Sequence, residues 1–216
     1  MCIKMSRSCE LSNEELTIRI NHFGAELAAI TDTKTGVNYL WNADETFWKR
    51  HSPILFPIVG SLKNKEYRYS NQTYTMSQHG FARDMDMLLE SESDTEVWYS
   101  LRANEDTKVN YPFDFLLEIG YRLQGRTITV MWKVKNLGND KMYFQIGAHP
   151  AFYCPIKQGE ERSSYQIDFH TDEQVNYTLI SKNGVLERES YSLELEKGLL
   201  PITNELFDKD ALVLEN

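Results

Sequence analysis

Phe115-Leu116-Leu117-Glu118-Ile119-Gly120-Tyr121-Arg122-Leu123-Gln124-Gly125-Arg126-Thr127-Ile128-Thr129-Val130-Met131-Trp132-Lys133-Val134 is the stretch that decides the fold. Apolar residues occupy every second position on both sides of Gln124-Gly125-Arg126: Phe115, Leu117, Ile119, Tyr121 and Leu123 before it, Ile128, Val130, Trp132 and Val134 after it. Side chains of a strand alternate between faces, so a period of two marks a strand with one buried face, and two such runs around a glycine-containing break predict an antiparallel hairpin. Working outward, Leu16/Ile18/Ile20, Val97/Tyr99/Leu101, Tyr165/Ile167/Phe169 and Ala211 to Leu214 repeat the pattern on a smaller scale. Asn136-Leu137-Gly138-Asn139 and Lys182-Asn183-Gly184 supply turn chemistry between strands. Asn42 to Trp48 offers one short helical turn, and no long stretch places apolar residues at i, i+3, i+4 and i+7. Many short strands without βα alternation predict an all-β protein, an antiparallel β-sandwich or barrel.

The 216 residues, 41% hydrophobic and 12% aromatic, fill one sizeable core, so residues 1–216 are read as a single domain with residues 1–13 as a disordered or poorly paired leader. Basic residues number 23 against 32 acidic ones, a formal net charge of −9 that speaks against nucleic acid or an anionic membrane as partner. Cys2, Cys9 and Cys154 are odd in number, no basic stretch followed by an apolar run opens the chain, and the mean hydropathy is −0.50. A soluble protein of the reducing cytoplasm is expected; the pattern does not specify an oligomeric state. At the other end only Glu215 and Asn216 follow the strand-like run Ala211 to Leu214. Two readings stay open there, an ordinary terminal edge strand or a chain cut short of a return strand.

Two of the five histidines stand in distinctive settings. His79 lies in Gln78-His79-Gly80-Phe81-Ala82-Arg83-Asp84, where the following glycine permits a positive-φ backbone. His149 lies in Gly147-Ala148-His149-Pro150-Ala151-Phe152, at a strand end flanked by small residues and a proline, a place that presents a side chain to a cleft. A lone histidine is more often a hydrogen-bonded structural residue, and that reading stands for His22, His51 and His170. A metal site is not expected, because zinc ligands normally show a short His-x-His, Cys-x-x-Cys or His-x3-His spacing and the chain has none. Cys154, between Tyr153 and Pro155, reads as a structural thiol and not a nucleophile. Asn64, Gln78, Arg83 and Asp84 offer the mixed donors and acceptors that a hydroxyl-rich ligand requires, and the abundant aromatics suit the apolar faces of sugar rings.

At these residues the sequence resembles the aldose 1-epimerase family, in particular its bacterial mutarotase-related branch. The resemblance is carried in order by Asn21-His22-Phe23-Gly24-Ala25-Glu26-Leu27, Tyr39-Leu40-Trp41, Pro53-Ile54-Leu55-Phe56-Pro57-Ile58-Val59-Gly60, the His79 and His149 blocks, and Leu206-Phe207-Asp208-Lys209-Asp210-Ala211. It implies the large antiparallel galactose mutarotase-like sandwich, here lacking C-terminal strands, and interconversion of the α and β anomers of a hexose-type aldose without a cofactor. It also implies His149 as general acid at the ring oxygen and His79 as a group that hydrogen-bonds and polarises the sugar, with a small-molecule sugar as partner. The family's base is a glutamate in a Glu-Pro-Trp-like context that this chain does not contain, and Glu215 is not assigned that role. Ser61 stands where many relatives carry arginine or lysine, and Thr203-Asn204 where an Asp-His pair is common. A non-catalytic carbohydrate-binding protein and an inactive fragment are the alternative readings.

Overall fold

The computed structural model of the chain describes residues 8–182 and 184–214. The chain gathers into two compact units, Met1–Val59 with Lys65–Tyr153 and Gly60–Asn64 with Cys154–Asn216. In the first unit the strands are β1 (Ser8–Ser12), β2 (Leu16–Asn21), β3 (Leu27–Asp32), β4 (Ile54–Leu55), β5 (Glu66–Tyr69), β6 (Gln72–Thr75), β7 (Leu88–Glu92), β8 (Glu96–Arg102), β9 (Phe115–Gln124), β10 (Thr127–Asn136) and β11 (Gly147–Ala148). They form a three-stranded sheet β1-β2-β3, a four-stranded sheet β10-β9-β8-β7 and the short pairs β5-β6 and β4-β11, with every ladder antiparallel. The second unit holds β12 (Gln166–Asp168) paired with β15 (Leu199–Pro201), and β13 (Asn176–Ile180) paired with β14 (Leu186–Ser192). The antiparallel all-β fold expected from the period of two is observed, in the sandwich form that the resemblance implied.

The deciding hairpin is β9 and β10, with Gln124 opposite Thr127, so the turn is only Gly125 and Arg126 and Gly125 (φ +55°) supplies the positive φ that a two-residue turn needs. Phe115, Leu117, Ile119, Tyr121 and Leu123 of β9 are 0–2% exposed and make up the buried face of the strand. The Tyr121 hydroxyl donates to the carbonyl of Ala25 at 2.7 Å, and the His22 ring lies 5.4 Å from that of Tyr99. Burial drives the Tyr121 phenol far above its usual range, so it stays a neutral donor.

Three details depart from the expectations. Residues 8–12, taken as leader, form β1 against β2, with Cys9 and Leu11 buried on one face; two apolar positions among polar ones were too few to register as a period. Residues 1–7 of that segment lie outside the described residues. The one α-helix among the described residues, α1 (Glu105–Asn110), is too short to show a helical period and is set by its cap: Asn104 Oδ1 accepts from the Thr107 amide, and Thr107 Oγ1 from the Asn104 amide, both at 2.9 Å. Ala211 to Leu214 makes a single bridge, Val213 to Thr178, with Leu214 exposed, and not a buried strand. The Asn42 to Trp48 turn is present, the Phe47 and Trp48 amides both donating to the Asp44 carbonyl.

Phe56, just after β4, is fully buried and its ring lies 5.2–6.3 Å from those of Phe81, Tyr111, Phe115 and Phe144. Phe56→Ala empties the centre of this cluster and is expected to cost about 3–5 kcal/mol of stability. Urea unfolding of the two proteins measures it.

Candidate active site

The segment Ser52 to Pro57 is buried throughout, and two of its carbonyls position the two histidines. β11 pairs with β4, Gly147 opposite Leu55 and Ala148 opposite Ile54, and the ladder continues when the His149 amide donates to the Pro53 carbonyl at 3.1 Å. At its other end the Phe56 carbonyl accepts from the amides of Phe81 and Ala82 at 3.0 and 3.2 Å, which docks the loop Gln78 to Asp84. The loop enters through two consecutive left-handed residues, His79 (φ +65°) and Gly80 (φ +72°). Glycine is required at 80 because a Cβ there would lie 2.1 Å from the Phe56 carbonyl oxygen. A positive φ at histidine is strained backbone held by its surroundings, and it turns the ring toward His149.

The two imidazole centroids are 5.8 Å apart with planes at 54°. Trp48 lies on the other side of His149, its ring 5.0 Å away. His79 is half-buried; burial first, then the charges of Arg83, His149 and Arg50, lower its pKa to about 4. His149 is exposed overall, yet the protein crowding its ring, with Arg83 second, also lowers its pKa. Both rings are therefore neutral at neutral pH.

Arg83 is the polar centre of the loop. Its Nη2 donates to the Gln78 carbonyl at 2.7 Å, and its Nε lies 3.7 Å from Asp84 Oδ2. Asp84 Oδ1 takes a 2.7 Å ion pair from Arg50 Nη2, while Arg50 Nη1 reaches the Arg83 carbonyl at 3.4 Å. Beneath them Glu26 Oε1 accepts from the amides of His51 and Ser52 at 2.8 and 3.0 Å, and Oε2 lies 3.7 Å from His51 Nδ1. Burial alone would raise the Glu26 carboxyl, but the hydrogen bonds from His51 and Ser52 outweigh it and hold the pKa below the usual range.

Of the residues singled out from the sequence, His79, His149, Arg83, Gln78 and Asp84 thus belong to one unit, all five linked by ring contact, charge or hydrogen bond. Asn64 belongs to the second unit, exposed and left-handed (φ +57°) in the turn Lys63–Lys65. Arg50, Glu26 and Trp48 were not picked out; Glu26 lay within a quoted block, and no spacing marked it as a partner of residues 51 and 52. Cys9 and Cys154 are free thiols, Cys9 buried and donating to Glu92 Oε1, while Cys2 lies outside the described residues. Among the described residues no group of three or more His, Cys, Asp or Glu is arranged to hold a metal ion, and no helix is long and apolar enough to cross a membrane.

The sandwich and the two histidine blocks are shared with known proteins. The aldose 1-epimerase family profile matches residues 7–203. Protein LacX of Lactococcus lactis subsp. lactis, in its plasmid form, is 36% identical over 95% of this chain and 71% of its own length. A galactose mutarotase related enzyme from Lactobacillus acidophilus superimposes with a TM-score of 0.91 at 32% identity, covering 97% of this chain and 69% of that one. A galactose mutarotase-like protein from Lactobacillus casei gives 0.86 at 30% identity, covering 97% and 72%. The chain belongs to the aldose 1-epimerase family.

The depressed histidines carry a prediction. A neutral His79 in the fold contributes stability that is complete above the unfolded value of about 6.5 and is lost as pH falls through the folded value of about 4, because the unfolded chain binds the proton first. Imidazole NMR should place the His79 midpoint near 4 and that of His149 below 6.5. Acid unfolding of His79→Gln should show a shallower loss of stability across the same window.

Proposed function

We propose that this protein binds a hexose-type aldose and supplies the acid side of anomer interconversion. Ring opening needs a proton delivered to the ring oxygen while another leaves the C1 hydroxyl, so proton-transfer groups must flank one sugar. In this reading His149 protonates the ring oxygen, His79 hydrogen-bonds and polarises the sugar, and Arg83 and Gln78 contact hydroxyls. The observation that carries it is the 5.8 Å approach of two imidazoles held from distant blocks by one buried segment. A pair of structural histidines has no need of strained backbone at one ring and an open face at the other.

Arg83 is oriented by its bond to the Gln78 carbonyl and raises the positive potential around the pair. That lowers the imidazolium population but makes any imidazolium formed a stronger acid, and it favours an oxygen-rich ligand. No described residue is assigned the base, since none of the acidic residues stands in the family's Glu-Pro-Trp-like context. The cytoplasm is the proposed site of action, and no partner beyond the sugar is invoked.

Polarimetry on freshly dissolved α-glucose or α-galactose tests the proposal. The 216-residue chain is expected to show mutarotation little above buffer, with saturable sugar binding by calorimetry that weakens in His149→Ala and His79→Ala. Rates well above buffer that vanish in His149→Ala would mean that this chain supplies its own base. In that case kcat/KM should rise as pH falls from 7 toward the lowered His149 value, since only the imidazolium delivers the proton. Absence of any sugar binding would overturn the assignment of the site.

A further inference from the structure

We infer that Arg50 is a positioning residue of the imidazole pair, tying the loop that carries His79 to the segment whose carbonyls hold both histidines. The inference rests on the sugar-binding reading above only for its consequence, not for its geometry. Arg50 immediately precedes His51 and Ser52, whose amides are fixed on Glu26, so its backbone starts from an anchored place. Its side chain is well covered, 16% exposed, and reaches across to the far end of the Gln78 to Asp84 loop. There the two ends of the guanidinium fork do different things: Nη2 pairs with the Asp84 carboxylate and Nη1 reaches the Arg83 backbone carbonyl.

Arg83 closes the loop from the inside through the Gln78 carbonyl, next to His79. The guanidinium of Arg50 thus holds the residue whose own guanidinium holds the residue preceding the histidine. The packing leaves little slack, since a Cβ on Gly24 would lie 2.8 Å from the same Arg83 carbonyl. Planar, two-pronged donation of this kind is a property of arginine that a lysine ammonium does not reproduce. Arg50 also faces His79 electrostatically, whereas the charge felt by His149 is that of Arg83.

This separates a positioning role from general support of the fold. In Arg50→Gln the NMR midpoint of His79 should rise while that of His149 moves less, and the amides of Phe81 and Ala82 should exchange at least roughly tenfold faster. Arg50→Lys keeps the charge and loses the second prong, so it should leave the His79 midpoint near the wild-type value while the loop amides still exchange faster. Asp84→Asn, a change at an exposed site that should fold normally, loses the ion pair without touching Arg50 and should speed exchange of the same amides. Unchanged loop exchange in both Arg50→Gln and Asp84→Asn would overturn the inference, as would equal shifts of the two histidines. None of these readouts requires mutarotation or sugar binding, so the inference and the proposed activity fail separately.

Discussion

Backbone hydrogen bonds to two carbonyls, those of Pro53 and Phe56, are the constraint on which the candidate site depends. They lie on one buried extended segment three residues apart, and they hold amides from opposite sides: His149 through Pro53, Phe81 and Ala82 through Phe56. A buried carbonyl without a donor costs free energy comparable to a lost hydrogen bond, so the segment's partners are structurally obligatory. The sequence distance between residues 79 and 149 is thereby converted into a ring separation of 5.8 Å. Phe56 also sits at the centre of the aromatic cluster, so core packing and site geometry meet in one residue.

The electrostatics follow from the same arrangement. Two guanidinium groups, Arg50 and Arg83, share the Asp84 carboxylate, and Glu26 is committed to backbone amides below. What the imidazoles experience is therefore burial together with positive charge, and both effects favour the neutral ring. Neutral imidazole offers one donor and one acceptor, which suits a hydroxyl-rich ligand better than two like charges facing each other would.

Much of this was legible in the sequence. The period of two along Phe115 to Val134 gave the hairpin with its register-setting turn, and the glycine after His79 announced the left-handed backbone found there. Alternation reports which face a residue is on and not how deeply it lies, which is why Val130 and Trp132 of β10 remain 38% exposed while their cross-strand neighbours on β9 are buried. Short elements escaped for a related reason: β1 and α1 are fixed by pairing and by a cap, and neither leaves a long periodic trace. Arg50 and Glu26 were hidden because their partners are a carboxylate 34 residues away and backbone amides 25 and 26 residues away, and no spacing rule encodes contacts made only after folding. Asn64 falls in the second unit, and the chemistry of a turn residue does not say which unit it will join.

The left-handed conformation of His79 shows how the parts must balance. Holding a non-glycine residue there costs on the order of 1–3 kcal/mol, while an ordinary hydrogen bond returns a net of about 0.5–1.5 kcal/mol. The two amide bonds to the Phe56 carbonyl together return about 1–3 kcal/mol, the same range as the strain. The loop also has charge-assisted bonds at Arg83 to Gln78 and at Arg50 to Asp84, which add to these. Both lie at exposed positions, so solvent screening leaves each worth only a fraction of a buried bond of the same kind. The left-handed turn at His79 is thus held first by the backbone bonds to Phe56, with the arginines around it as a second, solvent-screened support.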